Sequence, residues 1–337
     1  MKKENNTGFI VFIVIIVLAL IVTISKFAAP KTEVVSKPKP ASKPASIFNL
    51  RNHAEETKET HLPGQKYIAR LYINGTIEES NSSYDQKWLM STIDELEDDK
   101  DNVGIILDID SPGGTVYEAD ETYLRLLKYA ENRPVYAYFE SLAASGGYYI
   151  GCAAEYIVAN RNTMTGSIGV IAGQSIDLTG LMEKYGVKME TIHAGRNKIM
   201  GSINEPLTDE QRKIMQSLAD ECYDQFTDIV STSRNLDIKT VRELADGRVY
   251  TAKQALDNKL IDKIGSFDTV YADMCEREFE GNDFFVEEFT FVPDYNFYDY
   301  FRNAASSFVS PSASQLPQPL MDAIAPDIKY PAYFWHP

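Results

Sequence analysis

The sequence is poor in cysteine, and this shortage excludes two classes of protein. Its 337 residues include three cysteines, at Cys152, Cys222 and Cys275. Three thiols so far apart in the sequence are too few for a disulfide framework or for a zinc site. The count favours buried free thiols, and one disulfide stays open as the alternative.

Positive charge is also in short supply. Lys and Arg number 33 against 49 Asp and Glu, which gives a formal net charge of −16. Residues 1–46 carry seven Lys and two Glu, so the rest of the chain carries −21. A body this acidic repels phosphate backbones, and we therefore expect no nucleic acid partner.

Two motifs that commonly mark enzyme sites are missing. No G-x-x-x-x-G-K-[ST] segment is present, so a nucleotide-binding P-loop is unsupported, and no H-E-x-x-H segment is present either. We therefore expect neither a cofactor nor a metal ion.

The N-terminal part of the chain has the composition of a membrane anchor and a spacer. After a short segment, 1–7, residues 8–25 contain no charge, and as a helix they would span about 27 Å, close to one hydrocarbon core. We expect an uncleaved transmembrane anchor, with a cleavable signal peptide as the alternative. Residues 26–65 form a Pro/Lys-rich linker and arm that cannot pack a core. Lysines flank the span on both sides, so charge alone does not orient it.

From residue 66 the sequence alternates between strand and helix patterns, which predicts a layered α/β domain over 66–282. Strands are predicted at 67–75, 103–110, 134–140, 156–160, 166–173 and 187–195, and helices at 84–99, 115–132, 176–186, 208–235, 237–246 and 251–260. The helix at 208–235 starts with a capping box of Thr208 and Gln211. Residues 283–337 form an aromatic, Pro-rich tail, for which two interpretations stay open: it wraps a neighbouring molecule, or it is partly disordered.

Ser145, in "SLAASGGYYIG", lies where a predicted strand gives way to an apolar helix. Sites in α/β domains form at the carboxyl ends of strands, where a nucleophile is close to the free N–H groups of a helix start. The two glycines after Ser145 would let a substrate backbone approach closely. By itself this pattern leaves two interpretations open, a helix cap and a nucleophile.

The "DSPGG" segment ends the preceding predicted strand and also has two interpretations. A Pro-Gly pair is typical of a reverse turn. The backbone N–H groups of Gly113 and Gly114 could instead form an oxyanion hole, in which one donor is worth roughly 3 kcal/mol in acyl transfer.

Three segments together resemble a known family. "DSPGG", "SLAASGGYYIGCAAEYIVANRNTMTGSIGVI" and "HAGRNKIMGSINEPLTDEQRKIMQ" are similar, in order and spacing, to the motif blocks of the signal peptide peptidase A family. This is a family of membrane-anchored serine proteases with a ClpP/crotonase-like fold. The resemblance covers residues 66–280 and implies a fold of layered βα repeats, preceded here by one N-terminal transmembrane helix.

The resemblance also implies roles for individual residues. Ser145 matches the nucleophile of a Ser/Lys dyad, and Lys198 falls where the family places its general base. Ser167 matches the serine that hydrogen-bonds the lysine amine. A lysine must be neutral to act as a base, and burial in an apolar site lowers the pKa of a lysine enough to permit this.

Other residues compete for these roles. His193 precedes Lys198 by five residues, so a Ser/His arrangement is the local rival, although a plain strand histidine is the simpler interpretation. Asp108 and Asp110 precede the glycine turn, and we interpret them as strand-end and turn residues rather than as members of a triad.

The family resemblance implies a membrane-tethered serine endopeptidase that hydrolyses remnant signal peptides after signal peptidase has released them. It places the protein in the bacterial cytoplasmic membrane as a single-pass protein, in contact with lipid through its N-terminal helix, with the catalytic domain on the extracytoplasmic side. It also implies a homo-oligomer in which the lysine completes a neighbour's site. An acyl-CoA hydratase or isomerase on the same fold, and a catalytically inactive membrane scaffold, are the alternatives.

Overall fold

The computed structural model describes residues 60–293 and 332–334. The predicted segments 1–7 and 8–25, and residues 26–59 of the predicted linker, lie outside the described residues. Among the helices that are described, none has both the length and the apolar character needed to cross a membrane.

The described residues form an α/β fold, as the sequence predicts, built on a mostly parallel sheet. Its strands follow the order β7-β6-β4-β2-β1-β9, with β5 pairing with both β4 and β8, and only the β6–β7 pair is antiparallel. A separate antiparallel pair joins β3 and β10. The strands are β1 (Tyr67–Asn74), β2 (Asn102–Ser111), β3 (Gly113–Thr115), β4 (Val135–Ala144), β5 (Tyr156–Ala159), β6 (Met164–Gly166), β7 (Val249–Thr251), β8 (Lys263–Ile264), β9 (Phe285–Phe289) and β10 (Ala332–Phe334).

The helices cover both faces of this sheet, as a parallel sheet requires because its strands bury side chains on both sides. They are α1 (Gln86–Asp98), α2 (Val116–Ala130), α3 (Gly146–Gly151), α4 (Thr179–Tyr185), α5 (Asp209–Arg234), α6 (Ile238–Leu244), α7 (Ala252–Asp257) and α8 (Phe267–Glu278). The predicted capping box at the start of α5 is confirmed, with Thr208 and Gln211 satisfying each other's backbone N–H groups.

Two apolar layers hold the helices to the sheet. On one face, alternate residues of β1 and β2 such as Leu71 and Leu107 pack with α1, α2 and α3 in the larger cluster. On the other face, Ile68 and Ile106 pack with α8 in a smaller cluster. The alternation of successive residues between the faces is the period of two that a strand imposes.

Most of the predicted elements are present, but two predicted strands are wrong. The strand predicted at 166–173 is replaced by β6, which ends at Gly166, because Ser167 has a φ of 49° and takes the chain out of extended conformation. Residues 187–195 form no strand, because all of them are exposed and pair with no other strand in the described part of the chain. The sheet also continues past the predicted domain end at 282, since β9 pairs with β1.

Candidate active site

Ser145 lies at the sharp turn between β4 and α3. Its backbone has a φ of 54° and a ψ of −118°, a conformation that side-chain-bearing residues rarely adopt. The turn is held because the Ser145 N–H donates to the Gly166 carbonyl over 2.8 Å and the Ser145 carbonyl accepts from the Tyr149 N–H over 2.8 Å. Strained backbone of this kind persists where the surroundings over-determine it, often at functional sites.

The Ser145 side chain does not cap the helix that it precedes. Ser145 occupies the N-cap position of α3 but makes no side-chain capping bond, and its Oγ has no hydrogen-bond partner among the described residues. The residue is only 1% exposed. Because the Oγ makes no capping bond, the helix-cap interpretation is wrong. Buried hydroxyl groups are normally hydrogen-bonded, so the unpaired Oγ requires another explanation.

The reverse turn predicted from "DSPGG" is replaced by the short strand β3, which Gly113 and Gly114 begin one residue after the end of β2. We call Gly113 and Gly114, where the chain passes from β2 into β3, the glycine turn. Gly113 has a φ of 97°, and a Cβ on Gly114 would lie 1.8 Å from the Ile77 carbonyl oxygen, so neither position accommodates another residue without strain. The Gly113 N–H donates to the Ser111 Oγ over 3.1 Å. An oxyanion would therefore have to share or displace that bond to use Gly113.

The end of β2 and the start of α3 are in close contact, which brings the glycine turn and Ser145 to one edge of the sheet. Ser111 pairs with Ala143 across the β2–β4 ladder. A Cβ on Gly147 would lie 2.9 Å from the Ser111 carbonyl oxygen. The absence of a side chain at Gly147 is thus what permits this approach.

Ser167 is the second strained serine at this edge. It follows β6 directly, has a φ of 49° and is 6% exposed. Its N–H donates to the Arg248 carbonyl over 2.8 Å. Because Gly166 accepts the Ser145 N–H, the fold places Ser167 one residue from the partner of Ser145.

Lys198 does not share this environment within one chain. It is exposed and lies in a turn in which its N–H donates to the Gly195 carbonyl over 3.0 Å. The Ser145 Oγ has no partner among the described residues, so Lys198 does not hydrogen-bond to it. His193 is exposed as well, with its Nδ1 3.2 Å from the Gly195 oxygen, and does not contact Ser145 Oγ either.

Lys198 belongs to a stretch of the chain that has no buried residue. From 169 to 225 no residue is buried, and several large apolar side chains are exposed. They include Leu181, Tyr185, Val187, Met189 and Ile192.

Asp108 is a buried carboxyl group, which the sequence pattern indicates only as a strand-end residue. Its Oδ2 lies 2.5 Å from the Arg70 Nη2, and its Oδ1 has no partner among the described residues. Burial raises the pKa of Asp108 to about 7, against the opposing effect of the Arg70 guanidinium. Asp108 is on the face of the sheet that packs with α8, away from Ser145, and does not form a triad.

Residues 60–293 hold no group of three or more His, Cys, Asp or Glu side chains that could bind a metal ion. Cys152 and Cys275 are free thiols, and both are buried. Burial raises the pKa of the Cys152 thiol to about 11, so it is an inert thiol at neutral pH.

Comparison of the sequence with known proteins identifies a matching family and several relatives. Residues 128–278 match the family model described as peptidase family S49. The chain is 36% identical over 227 residues to a putative signal peptide peptidase SppA of Enterococcus faecium, covering 65% of each chain. It is 39% identical over 202 residues to a putative protease of Synechocystis sp., covering 60% of this chain and 71% of that protein.

Two further matches extend this comparison. A chloroplastic serine protease SPPA of Arabidopsis thaliana is 34% identical over 59% of this chain and 30% of its own length. The chain thus spans from about a third to about two thirds of the length of these relatives. Among solved structures, a mutant ClpP1 of Listeria monocytogenes is 15% identical with a TM-score of 0.41, covering 60% of this chain and 94% of that one.

The relatives confirm the resemblance that the three motif blocks indicate and the expectation of a peptidase. With 39% identity to a protein of which it covers 71%, and a family model that spans Ser145, Ser167 and Lys198, the chain belongs to peptidase family S49.

Proposed function

We propose that this chain is a serine endopeptidase in which Ser145 is the nucleophile and Lys198 is the general base. The observation that carries the proposal is the Ser145 hydroxyl, which is buried, unpaired and held on a strained strand-to-helix turn beside the Gly113–Gly114 turn. Such a hydroxyl is costly for stability but available for reaction.

The proposed reaction proceeds through an acyl-enzyme. Neutral Lys198 takes the proton of the Ser145 hydroxyl as the Ser145 Oγ attacks the peptide carbonyl carbon. The negative charge on the carbonyl oxygen is stabilised by the N–H groups of Gly113 and Gly114. Lys198 then gives its proton to the leaving amine, and water, deprotonated in turn by Lys198, hydrolyses the ester. Ser167 orients the lysine amine.

Lys198 is proposed to come from a second copy of the chain. A lysine acts as a base only in its neutral form, and burial favours that form. In one chain Lys198 is exposed and belongs to a stretch, 169–225, without a buried residue. If residues 169–225 docked against the sheet edge next to Ser145 in a neighbouring chain, the apolar side chains of that stretch would be buried and Lys198 would be desolvated at the same time.

An extended peptide is proposed to bind by pairing with β3. In the structure β10 of the same chain lies antiparallel on β3, with Phe334 opposite Gly113 and Ala332 opposite Thr115. The β3 edge therefore accepts an extended segment next to the proposed oxyanion donors, which is the strand-addition mode of peptide recognition.

The proposed substrates are remnant signal peptides, and the proposed location is the extracytoplasmic side of the bacterial cytoplasmic membrane. Support comes from the uncharged residues 8–25 and from the Enterococcus faecium relative named as a putative signal peptide peptidase. We also propose that the α/β domain has the ClpP/crotonase-like arrangement of layered βα repeats.

The test is hydrolysis of apolar peptides by the detergent-solubilised full chain, together with labelling by a fluorophosphonate, which reacts with activated serines. Wild type is expected to cleave and to label, while Ser145→Ala and Lys198→Ala do neither and His193→Ala does both. If His193→Ala is inactive and Lys198→Ala is active, the base is assigned incorrectly. If assembled wild type neither labels nor cleaves, the inactive scaffold is favoured, and binding of a CoA thioester would favour the hydratase.

A further inference from the structure

The strand that leads to Ser145 contains an irregularity opposite Asp110. The ladder between β2 and β4 pairs Ile109 with Phe139 and then Ser111 with Ala143. One residue of β2, Asp110, therefore faces three residues of β4, 140–142. This β4 bulge ends three residues before Ser145.

The side chain of Asp110 holds the β4 bulge. Its Oδ1 accepts the Ser141 hydroxyl over 2.6 Å and the Leu142 backbone N–H over 3.0 Å. A bulge disrupts the ladder and leaves backbone groups without strand partners. The Asp110 carboxylate gives the Leu142 N–H the acceptor that the ladder does not supply.

A second side chain binds the bulge from the side of β4 that faces away from β2. The Thr163 hydroxyl contacts two carbonyl oxygens of β4, that of Phe139 at 3.0 Å and that of Glu140 at 2.5 Å. Thr163 is 1% exposed, so this contact is shielded from water. Side chains thus bind the bulge on both sides of β4.

The β4 bulge is also the point at which β4 changes neighbours. Before the bulge, residues 136–139 pair with β5, and from its last residue onward, residues 142–144 pair with β6. The pairing with β6 continues directly into the bond between the Ser145 N–H and the Gly166 carbonyl. The shape of the bulge therefore determines the position of Ser145 at the end of β4.

We propose that Asp110 is a positioning residue that keeps Ser145 in register with the Gly113–Gly114 turn. Asp110 belongs to the strand that leads into the glycine turn, and its carboxylate bonds the strand that ends at Ser145. The Asp110 side chain thus connects β4, which leads to the nucleophile, with β2, which leads to the proposed oxyanion donors. The inference rests on the proposed function, because it assigns Asp110 to that reaction.

Misplacement of reacting groups by about 1 Å can cost about 100-fold in rate. Loss of the hydrogen bonds to Asp110 should therefore slow the chemical step more than it weakens substrate binding. In the full chain in detergent, Asp110→Ala is expected to lower kcat and the rate of fluorophosphonate labelling at least about tenfold, with KM changed less than about threefold. Asp110→Asn keeps an Oδ1 acceptor for both bonds and is expected to stay within about threefold of wild type. This conservative rescue separates positioning by hydrogen bonds from a need for charge.

Two further variants complete the test. Ser141→Ala removes one of the two bonds, and combined with Asp110→Ala it should cost nothing extra, because residues that act through one contact are not additive. Asp237→Ala, which removes a carboxylate that accepts the Lys239 N–H at the start of α6, should label like wild type.

Each outcome separates the inference from the proposed function. Absence of labelling in wild type would overturn the proposed function. Labelling of wild type together with equal labelling of Asp110→Ala would overturn the role of Asp110 alone. If Asp110→Ala fails to fold, unchanged kcat in folded Ser141→Ala would overturn the inference, and a fall clearly larger than that of Asp110→Asn would support it.

Discussion

The backbone N–H of Ser145 donates to the carbonyl oxygen of Gly166 over 2.8 Å, and this bond joins the ends of β4 and β6. The two serines that follow these strand ends, Ser145 and Ser167, both have positive φ angles, 54° and 49°. Each of them bends the chain away from the sheet immediately after the strand. The site is therefore built from two strained turns that hold each other in place.

The first prediction tests the strain at Ser145. Ser145→Gly and Ser145→Ala both lack the hydroxyl, but only glycine adopts a φ of 54° with a ψ of −118° at little cost. We expect Ser145→Gly to be more stable than Ser145→Ala by about 1 kcal/mol, a difference of roughly 2–4 °C in Tm for a domain of this size. At the exposed helical position Ser91 the order should reverse, because glycine costs about 1 kcal/mol in a helix. Equal Tm values at position 145 would show that the turn is not strained.

The second prediction concerns Gly147. Its Cβ would lie 2.9 Å from the Ser111 carbonyl oxygen and 3.3 Å from the Ser111 Cβ, so Gly147→Ala must push α3 away from the end of β2. We expect kcat per folded molecule to fall by about tenfold or more, since the nucleophile and the glycine turn separate.

Gly104→Ala is the matched control for Gly147→Ala. Its Cβ would lie 2.4 Å from the Met274 Cε and 3.0 Å from the Pro134 carbonyl oxygen, at the opposite end of β2 from the site. It should lower Tm without changing kcat, measured against labelled enzyme. Equal losses of kcat in the two variants would mean that the collision at Gly147 has no special relation to the site.

The sequence predicts the α/β class, the main strands and the position of Ser145, because these depend on local periodicity and on short motifs. It fails at residues 187–195, where apolar and β-branched residues alternate as in a strand but find no partner strand among the described residues of one chain. It also does not predict the hydrogen bond that the Leu142 N–H donates to Asp110, because this bond depends on a bulge that arises from pairing between distant strands. An acidic residue before a glycine turn is too common a pattern to reveal such a contact.

The third prediction follows from the buried carboxyl of Asp108, which faces the Arg70 guanidinium and, beyond it, Glu140. Burial raises the pKa of Asp108 to about 7, well above the value near 4 expected in the unfolded chain. The folded state therefore keeps this proton to higher pH than the unfolded state does. The contribution of Asp108 to the free energy of unfolding falls as pH rises from about 4 to about 7.

Asp108→Asn removes this titration while keeping the shape of the side chain. We expect the Tm of Asp108→Asn relative to wild type to rise between pH 5 and pH 8, on top of any constant loss from the broken contact with Arg70. Asp101→Asn is the control, because the Gly64 N–H lowers the pKa of Asp101 and its titration is complete below pH 5. A relative Tm for Asp108→Asn that falls with pH would contradict the raised pKa.

The fourth prediction concerns the strand β10, which pairs with β3 beside Gly113 and Gly114. If peptide substrates bind along the same edge, β10 competes with them. Deletion of residues 327–337 is expected to lower KM for peptide hydrolysis with little change in kcat. A synthetic peptide of sequence DIKYPAYFWHP, added to the shortened enzyme, should raise KM again as a competitive inhibitor, and a scrambled peptide should not. An unchanged KM on deletion would show that substrates do not use the β3 edge.

The fifth prediction tests whether Lys198 acts across a subunit boundary. Ser145→Ala chains keep the lysine and Lys198→Ala chains keep the serine, so neither variant is active alone. If each site combines Ser145 of one chain with Lys198 of another, equal coexpression with random assembly regenerates about one quarter of the sites, and about a quarter of wild-type activity should return. If both residues come from the same chain, no site is complete and no activity returns. Activity measured on the coexpressed complex, against each variant expressed alone, therefore decides between the exposed Lys198 of a single chain and a lysine that a neighbour buries.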